Sequence, residues 1–163
     1  MNTSASHDIR GVLISVTGGK LMLPNATVAE VITYSNPEPV ADAPAWLLGR
    51  VRWRGWGLPI VSFSRMVGWS NESASLGAKV AVLKGVGNHA KMPYFAILTQ
   101  GFPRLITIVD NEVTESNDPD IDLPDGVYSL CEFHGDECVV PDLANVELQI
   151  VGVLQGAGAM ATG

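Results

Sequence analysis

Residues 47 to 63 read Leu47-Leu48-Gly49-Arg50-Val51-Arg52-Trp53-Arg54-Gly55-Trp56-Gly57-Leu58-Pro59-Ile60-Val61-Ser62-Phe63, and this stretch decides the fold. Val51 and Trp53 alternate with Arg50, Arg52 and Arg54, the period-2 pattern of a strand with one buried face. Arg54-Gly55 makes a tight turn, and Leu58, Ile60 and Val61 form the return strand. Gly57 reads as a bulge. Pro59, which has no N–H to give a ladder, argues for an edge or bulge position.

Outward from this hairpin the chain is a series of short elements. Upstream, Ile9 to Val16 is a strand, turned by Gly18-Gly19 into a second strand, Lys20 to Leu23. Pro24 and Asn25 open the segment Ala26 to Ile32, a strand or one to two helical turns with Asn25 as the cap. A Pro-rich loop, Pro37 to Pro44, leads into Trp46. Downstream, Ser64 caps a short helical stretch, Arg65 to Val67, and the polar run Asn71 to Gly77 is a linker. Lys79–Lys84 and Tyr94–Thr99 are strands joined by a long turn, and Arg104 to Val109 is strand-like. Glu112 to Pro124 forms an acidic loop. A last hairpin, Val127–Phe133 and Glu137–Val140, turns at His134-Gly135. Val146 to Leu154 is a strand or short helix. Residues 1–8 and 155–163 are expected to be flexible.

The chain contains an internal repeat. Arg54-Gly55 followed by Ser62-Phe63 matches His134-Gly135 followed by Asp142-Leu143 at equal spacing, and Met22-Leu23 before Asn25 matches Ile97-Leu98 before Gln100. Each copy holds about five strands, which suits a small closed or half-open barrel. The expectation is one all-β domain over residues 9–154, with lobes at 9–70 and 78–154.

Composition agrees. The 163 residues are 47% hydrophobic and 17% charged, with 17 Gly and 10 Pro, fitting many short elements joined by turns. No basic, apolar leader opens the chain and no apolar run is long enough to span a membrane, so a cytoplasmic protein is expected. The net charge of −7 is unevenly distributed: all 10 Lys and Arg lie at or before Arg104, and 12 acidic residues follow it. An acidic surface repels phosphate backbones, which disfavours nucleic acid. A basic end and an acidic end suit head-to-tail contacts or two different partners.

No catalytic set emerges. Gly85 to Lys91 lacks phosphate-loop spacing, and neither G-x-S-x-G nor H-E-x-x-H occurs. His7, His89 and His134 fall in a tail and two turns. Cys131, His134 and Cys138 could meet at zinc only with a fourth ligand that the sequence lacks. Asp118, Asp120 and Asp122 have calcium-loop spacing, but Leu123 and Ser129 occupy the positions of the required Gly and Glu. No cofactor and no metal are expected, and the two cysteines read as small half-buried thiols rather than a disulfide or redox pair. Trp46, Trp53, Trp56 and Trp69 lie near Arg50, Arg52, Arg54 and Arg65. Such residues can stack on single strands or fill a core, but they are also those most enriched at protein interfaces, the reading preferred here. The rival is a small β-barrel module binding single-stranded nucleic acid or a small ligand.

The run Leu48-Gly49-Arg50-Val51-Arg52-Trp53-Arg54-Gly55 followed by Leu58-Pro59-Ile60-Val61-Ser62-Phe63 resembles the signature of CheW-like chemotaxis coupling proteins, roughly L-G-V-V-N-L-R-G and then L-P-V-V-D-L. Val28-Ala29-Glu30-Val31-Ile32 is similar to the family's V-x-E-I/V segment. The resemblance implies two SH3-like five-stranded barrel lobes with short helices. It implies a non-enzymatic adaptor that bridges the cytoplasmic tip of a chemoreceptor and the regulatory domain of a CheA-type histidine kinase, without inserting into the membrane. It assigns partner binding to Arg54, Gly55, Gly49, Val28 and Glu30. Arg52, Trp53 and Ser62 depart from the signature's Asn, Leu and Asp, and Thr99-Gln100-Gly101-Phe102 stands where V-D-x-V is usual. Such departures resemble the accessory coupling proteins of pilus-linked, twitching-motility systems.

Overall fold

The structure, a computed structural model, describes residues 9–87, 92–109, 113–115 and 122–162. Among the described residues eleven strands form two sheets. In chain order they are β1 (Ile9–Val16), β2 (Gly19–Pro24), β3 (Val28–Thr33), β4 (Leu47–Trp53), β5 (Trp56–Val61), β6 (Lys79–Lys84), β7 (Tyr94–Thr99), β8 (Arg104–Ile108), β9 (Val113–Glu115), β10 (Val127–Phe133) and β11 (Asp136–Pro141). Two helices, α1 (Phe63–Met66) and α2 (Leu143–Thr162), follow β5 and β11. One sheet runs β8-β1-β2-β11-β10-β9, and the other runs β3-β6-β7-β5-β4. The all-β, two-lobed expectation holds, with the three-residue β9 as a sixth strand on the first sheet.

The repeat is present in the registers. Leu47, Gly49 and Trp53 face Val61, Ile60 and Trp56, with a bulge between Leu47 and Gly49. Val127, Ser129 and Phe133 face Pro141, Val140 and Asp136, with a bulge at the corresponding place. The bulge therefore sits at Leu48, not at the expected Gly57. Both turns have positive φ at their two central residues, 47° and 82° at Arg54-Gly55 and 51° and 83° at His134-Gly135. That combination defines the type I′ turn, whose twist matches that of the flanking strands.

The lobes do not divide at residues 70–78 as expected. β1 and β2 leave the first half and join β8, β10 and β11, while β6 and β7 join β3, β4 and β5. Each repeat thus lends its leading hairpin to the other. Parallel pairings close the exchange, Val139 with Leu21 and Ile60 and Val61 with Ala96 and Ile97. Pro59 lies inside the sheet, but just ahead of the β5–β7 pairing, so its missing N–H leaves no gap there.

The exchange explains the burial. Ile14, Leu21, Val61, Phe63, Leu83, Phe95, Val127 and Ile150 share one core drawn from both sheets. Val51, Trp53, Leu58, Val80 and Leu98 fill the interior of the β3–β7 lobe, and Leu13, Met22, Cys131, Phe133 and Cys138 fill the other. Strands with one face in each core are buried on both sides, and β7 is accordingly apolar from Phe95 to Leu98.

Local assignments also shift. Val28–Thr33 is a strand, entered through a 3-10 turn at Asn25–Thr27 that is preceded by Pro24 and has no side-chain cap, so Asn25 is not a cap. Ser62, not Ser64, caps α1 by accepting from the Arg65 amide. The final segment is helical from Leu143 to Thr162, and its Asp142 carboxylate accepts from the Asn145 amide, the counterpart of Ser62. Residues 1–8, expected to be flexible, lie outside the described residues. No helix among the described residues is long and apolar enough to cross a membrane.

Candidate functional site

The β4–β5 turn presents Arg54 and Gly55 to solvent. Arg54 Nη2 lies 2.9 Å from Glu30 Oε1 on β3. The same oxygen accepts from Trp53 Nε1 at 3.2 Å. The Arg54 guanidinium also lies over the Trp53 ring, 4.8 Å from its centroid, and that ring meets Tyr94 edge-on at 4.9 Å and 63°. Trp53 is buried, whereas the Arg54 side chain is 70% exposed. The turn is therefore rigid at its base while its charge faces outward.

Gly49 sits at the far end of β4. The backbone of Glu38 pairs with Arg50 in both directions at 2.8 Å. A Cβ on Gly49, whose φ is 142°, would run into the Glu38 carbonyl. The close approach that this glycine permits is made by the chain's own Pro37–Glu38 strap. Val28 is half-buried and packs on the shared core, at the bulged start of the β3–β6 pairing. Of the five residues singled out from the sequence, Arg54, Gly55 and Glu30 come together at the turn. Gly49 and Val28 lie apart from it.

The four tryptophans do not form one group. Trp53 lies inside its lobe. Trp46 and Trp69 pack on the shared core, where Trp69 meets Phe63 edge-on at 5.5 Å. Trp56 is 42% exposed.

Two acidic residues that no sequence motif singles out hold the lobes together. Glu72, within the supposed linker, is 1% exposed. Its Oε2 accepts from the Thr17 amide at 2.7 Å and from Gln100 Nε2 at 3.0 Å, and its Oε1 accepts from the Ser62 hydroxyl at 2.6 Å. One carboxylate thus ties the β1–β2 turn, the α1 cap and the end of β7. Glu147 on α2 is fully buried and accepts from the Val86 and Gly87 amides at 2.8 and 3.2 Å. A single Glu among small polar residues is the only trace of the Glu72 role in the sequence, because its partners Thr17, Ser62 and Gln100 come from separate parts of the chain.

Cys131 and Cys138 face each other across β10 and β11, and both are buried. Burial pushes the Cys138 thiol pKa upward, and the nearby Asp136 adds to the shift. Among the described residues no group of three His, Cys, Asp or Glu is placed to hold a metal. His7, His89, Asp118 and Asp120 lie outside the described residues.

Comparison with solved structures finds the scaffolding protein TtCheW from Thermoanaerobacter tengcongensis similar, with a TM-score of 0.69 and 15% identity, covering 83% of this chain and 84% of that one. At that identity the likeness speaks to the fold. No curated protein sequence matches significantly. The family model of the CheW-like domain, however, matches residues 10–147. That span takes in both repeats, the exchanged hairpins and the Arg54-Gly55 turn: the chain belongs to the CheW-like domain family.

Proposed function

We propose that this chain is a non-enzymatic scaffold of a chemosensory array, acting in the cytoplasm to couple a chemoreceptor tip to the regulatory domain of a CheA-type histidine kinase. The observation that carries this reading is the signature turn itself, Arg54-Gly55, projected from a lobe whose interior and base are fixed by Trp53 and Glu30. A coupling protein must hold partners in register, which requires a stiff surface more than a reactive one. Arg54 offers a charge-assisted contact. At Gly55 even an added Cβ would have no neighbour within 4 Å, so a partner can approach the backbone there. Glu30 orients Arg54. Gly49 acts indirectly by admitting the Glu38 strap beside β4, and Val28 sets the position of β3. Departures from the signature at Arg52, Trp53 and Ser62 favour an accessory role in a pilus-linked system. The test is co-purification with a kinase regulatory domain and with a receptor tip fragment. Retention of both, lost on Arg54→Ala in a folded protein, supports the proposal; retention of neither overturns it.

A further inference from the structure

We propose that Cys131 and Cys138 form a reversible cross-strand disulfide when the protein meets a peroxide, which makes the β10–β11 hairpin an oxidation site. The inference stands independently of the receptor and kinase reading. The chain has two cysteines, and the fold sets them directly opposite each other in the antiparallel register of β10 and β11. Both side chains enter the same cluster, with Leu13, Met22 and Phe133, so the two sulfurs lie on one face of the hairpin.

Phe133 and Asp136 flank the turn at His134-Gly135 and so exchange both backbone hydrogen bonds. Alternation makes Cys131 and Cys138, the next pair but one along the ladder, a hydrogen-bonded pair as well. Cα atoms in such a pair stand about 5.5 Å apart, within the range of about 4.4–6.8 Å that a disulfide spans. Their Cβ atoms, about 4.5–5.5 Å apart, must close to about 3.8 Å. Closure therefore bends the hairpin and strains the bond, and a strained disulfide is readily reduced. The pair is a switch rather than a brace.

Each cysteine is only 2% exposed, which keeps bulky reagents out. A cavity of about 300 Å³ nevertheless borders both of them, lined also by Gly19, Lys20, Trp69 and Glu137. A peroxide is little larger than water, whose share of liquid volume is about 30 Å³, so the cavity admits it. The Cys138 thiol donates to the Asp136 carbonyl at 3.6 Å, a weak bond that is surrendered on oxidation. Burial and then Asp136 favour its thiol form, whereas Lys20 and Arg104 favour the thiolate that reacts. In the first step a thiolate attacks one peroxide oxygen and the O–O bond breaks. The leaving hydroxide takes up the proton that the thiol released, giving a sulfenic acid and water. The second sulfur then attacks the sulfenic sulfur: the S–S bond forms, the S–O bond breaks, and hydroxide departs as water with the second thiol's proton. Two thiols and one peroxide thus become one disulfide and two waters.

The test is mass spectrometry of the whole folded chain, reduced, exposed to hydrogen peroxide, and alkylated after denaturation. Both thiols should be lost to alkylation while circular dichroism stays native. Glutamyl endopeptidase, which cuts between the cysteines at Glu132 and Glu137, should leave their two peptides joined, and excess reduced glutathione should separate them. Cys131→Ser and Cys138→Ser should each abolish the joined peptides, and at least one of them should carry a sulfenic acid that dimedone traps. Should a serine variant fail to fold, the alanine variant gives the same readout. Thiols that stay alkylatable, oxidation that ends in sulfinic acid or covalent dimers, or no dimedone adduct in either variant overturns the proposal. So does a bridge that forms only in urea, or one that glutathione does not open.

Discussion

Glu30 and Arg54 make an ion pair of 2.9 Å although Glu30 lies on β3 and Arg54 in the turn that follows β4, the two strands being the outermost of one five-stranded sheet. Edge strands separated by three others meet only if the sheet curls on itself. Glu30 is thus both a latch across the lobe and the residue that aims the signature arginine. An exposed pair of this kind contributes about 0–1 kcal/mol to stability, so its main consequence is orientation.

Arg54→Ala should weaken binding to a kinase regulatory domain or receptor fragment by about 1–3 kcal/mol, with little change in melting temperature. Calorimetric titration alongside thermal denaturation separates the two effects. A large fall in melting temperature with unchanged binding would make Arg54 structural.

Gly49 and Gly55 should respond differently to alanine. At Gly55 the new side chain meets nothing within 4 Å, and only the left-handed backbone is penalised, by about 1–2 kcal/mol. At Gly49 the same penalty is joined by collision with the Glu38 carbonyl, so Gly49→Ala should destabilise by about 3 kcal/mol or more. Urea denaturation of both variants checks the order.

Removing the Glu72 carboxylate strands the Thr17 amide, the Ser62 hydroxyl and the Gln100 amide group together. Glu72→Ala should destabilise by about 3 kcal/mol or more, and Ser62→Ala, which removes one partner and the α1 cap, by about 1–2 kcal/mol. Equal losses in the two variants would contradict the hub. For Glu147→Ala the direct readout is hydrogen exchange, in which the Val86 and Gly87 amides should lose protection before the strands do.

The raised pKa of Cys138 has a definite sign. A buried thiol kept neutral in the folded state binds its proton more tightly than in the unfolded chain. Its contribution is therefore complete below the unfolded thiol pKa, near the ordinary value of 9.0, and is lost as pH rises above it through the folded pKa. Stability should decline above about pH 9 less steeply in Cys138→Ala than in wild type. Thiol-directed reagents should label the native protein slowly and the unfolded protein fast.

Strand periodicity, the tight turns and the repeat are legible in residues 47–63 and 127–143, because a strand's alternation and a turn's glycine are set by nearest neighbours along the chain. Arg54, Gly55 and Glu30 were legible through the signature. The helical final segment is ambiguous in the sequence, since a short apolar run such as Val146–Leu154 suits strand and helix alike. The linker reading of Asn71–Gly77 failed because Glu72 is buried by residues from three distant parts of the chain, and burial of a lone carboxylate leaves no pattern in sequence.

The sequence by itself determined that this protein is built of short strands in two copies, each with a tight-turned hairpin, because dihedral preference and side-chain alternation are local. Only the tertiary structure decided which hairpin sits in which lobe, that Glu30 reaches Arg54 around a curled sheet, that Glu72 gathers Thr17, Ser62 and Gln100, and that Glu147 holds the Val86 and Gly87 amides. Those outcomes depend on covering both faces of every central strand at once, a condition that no single stretch of the chain can express.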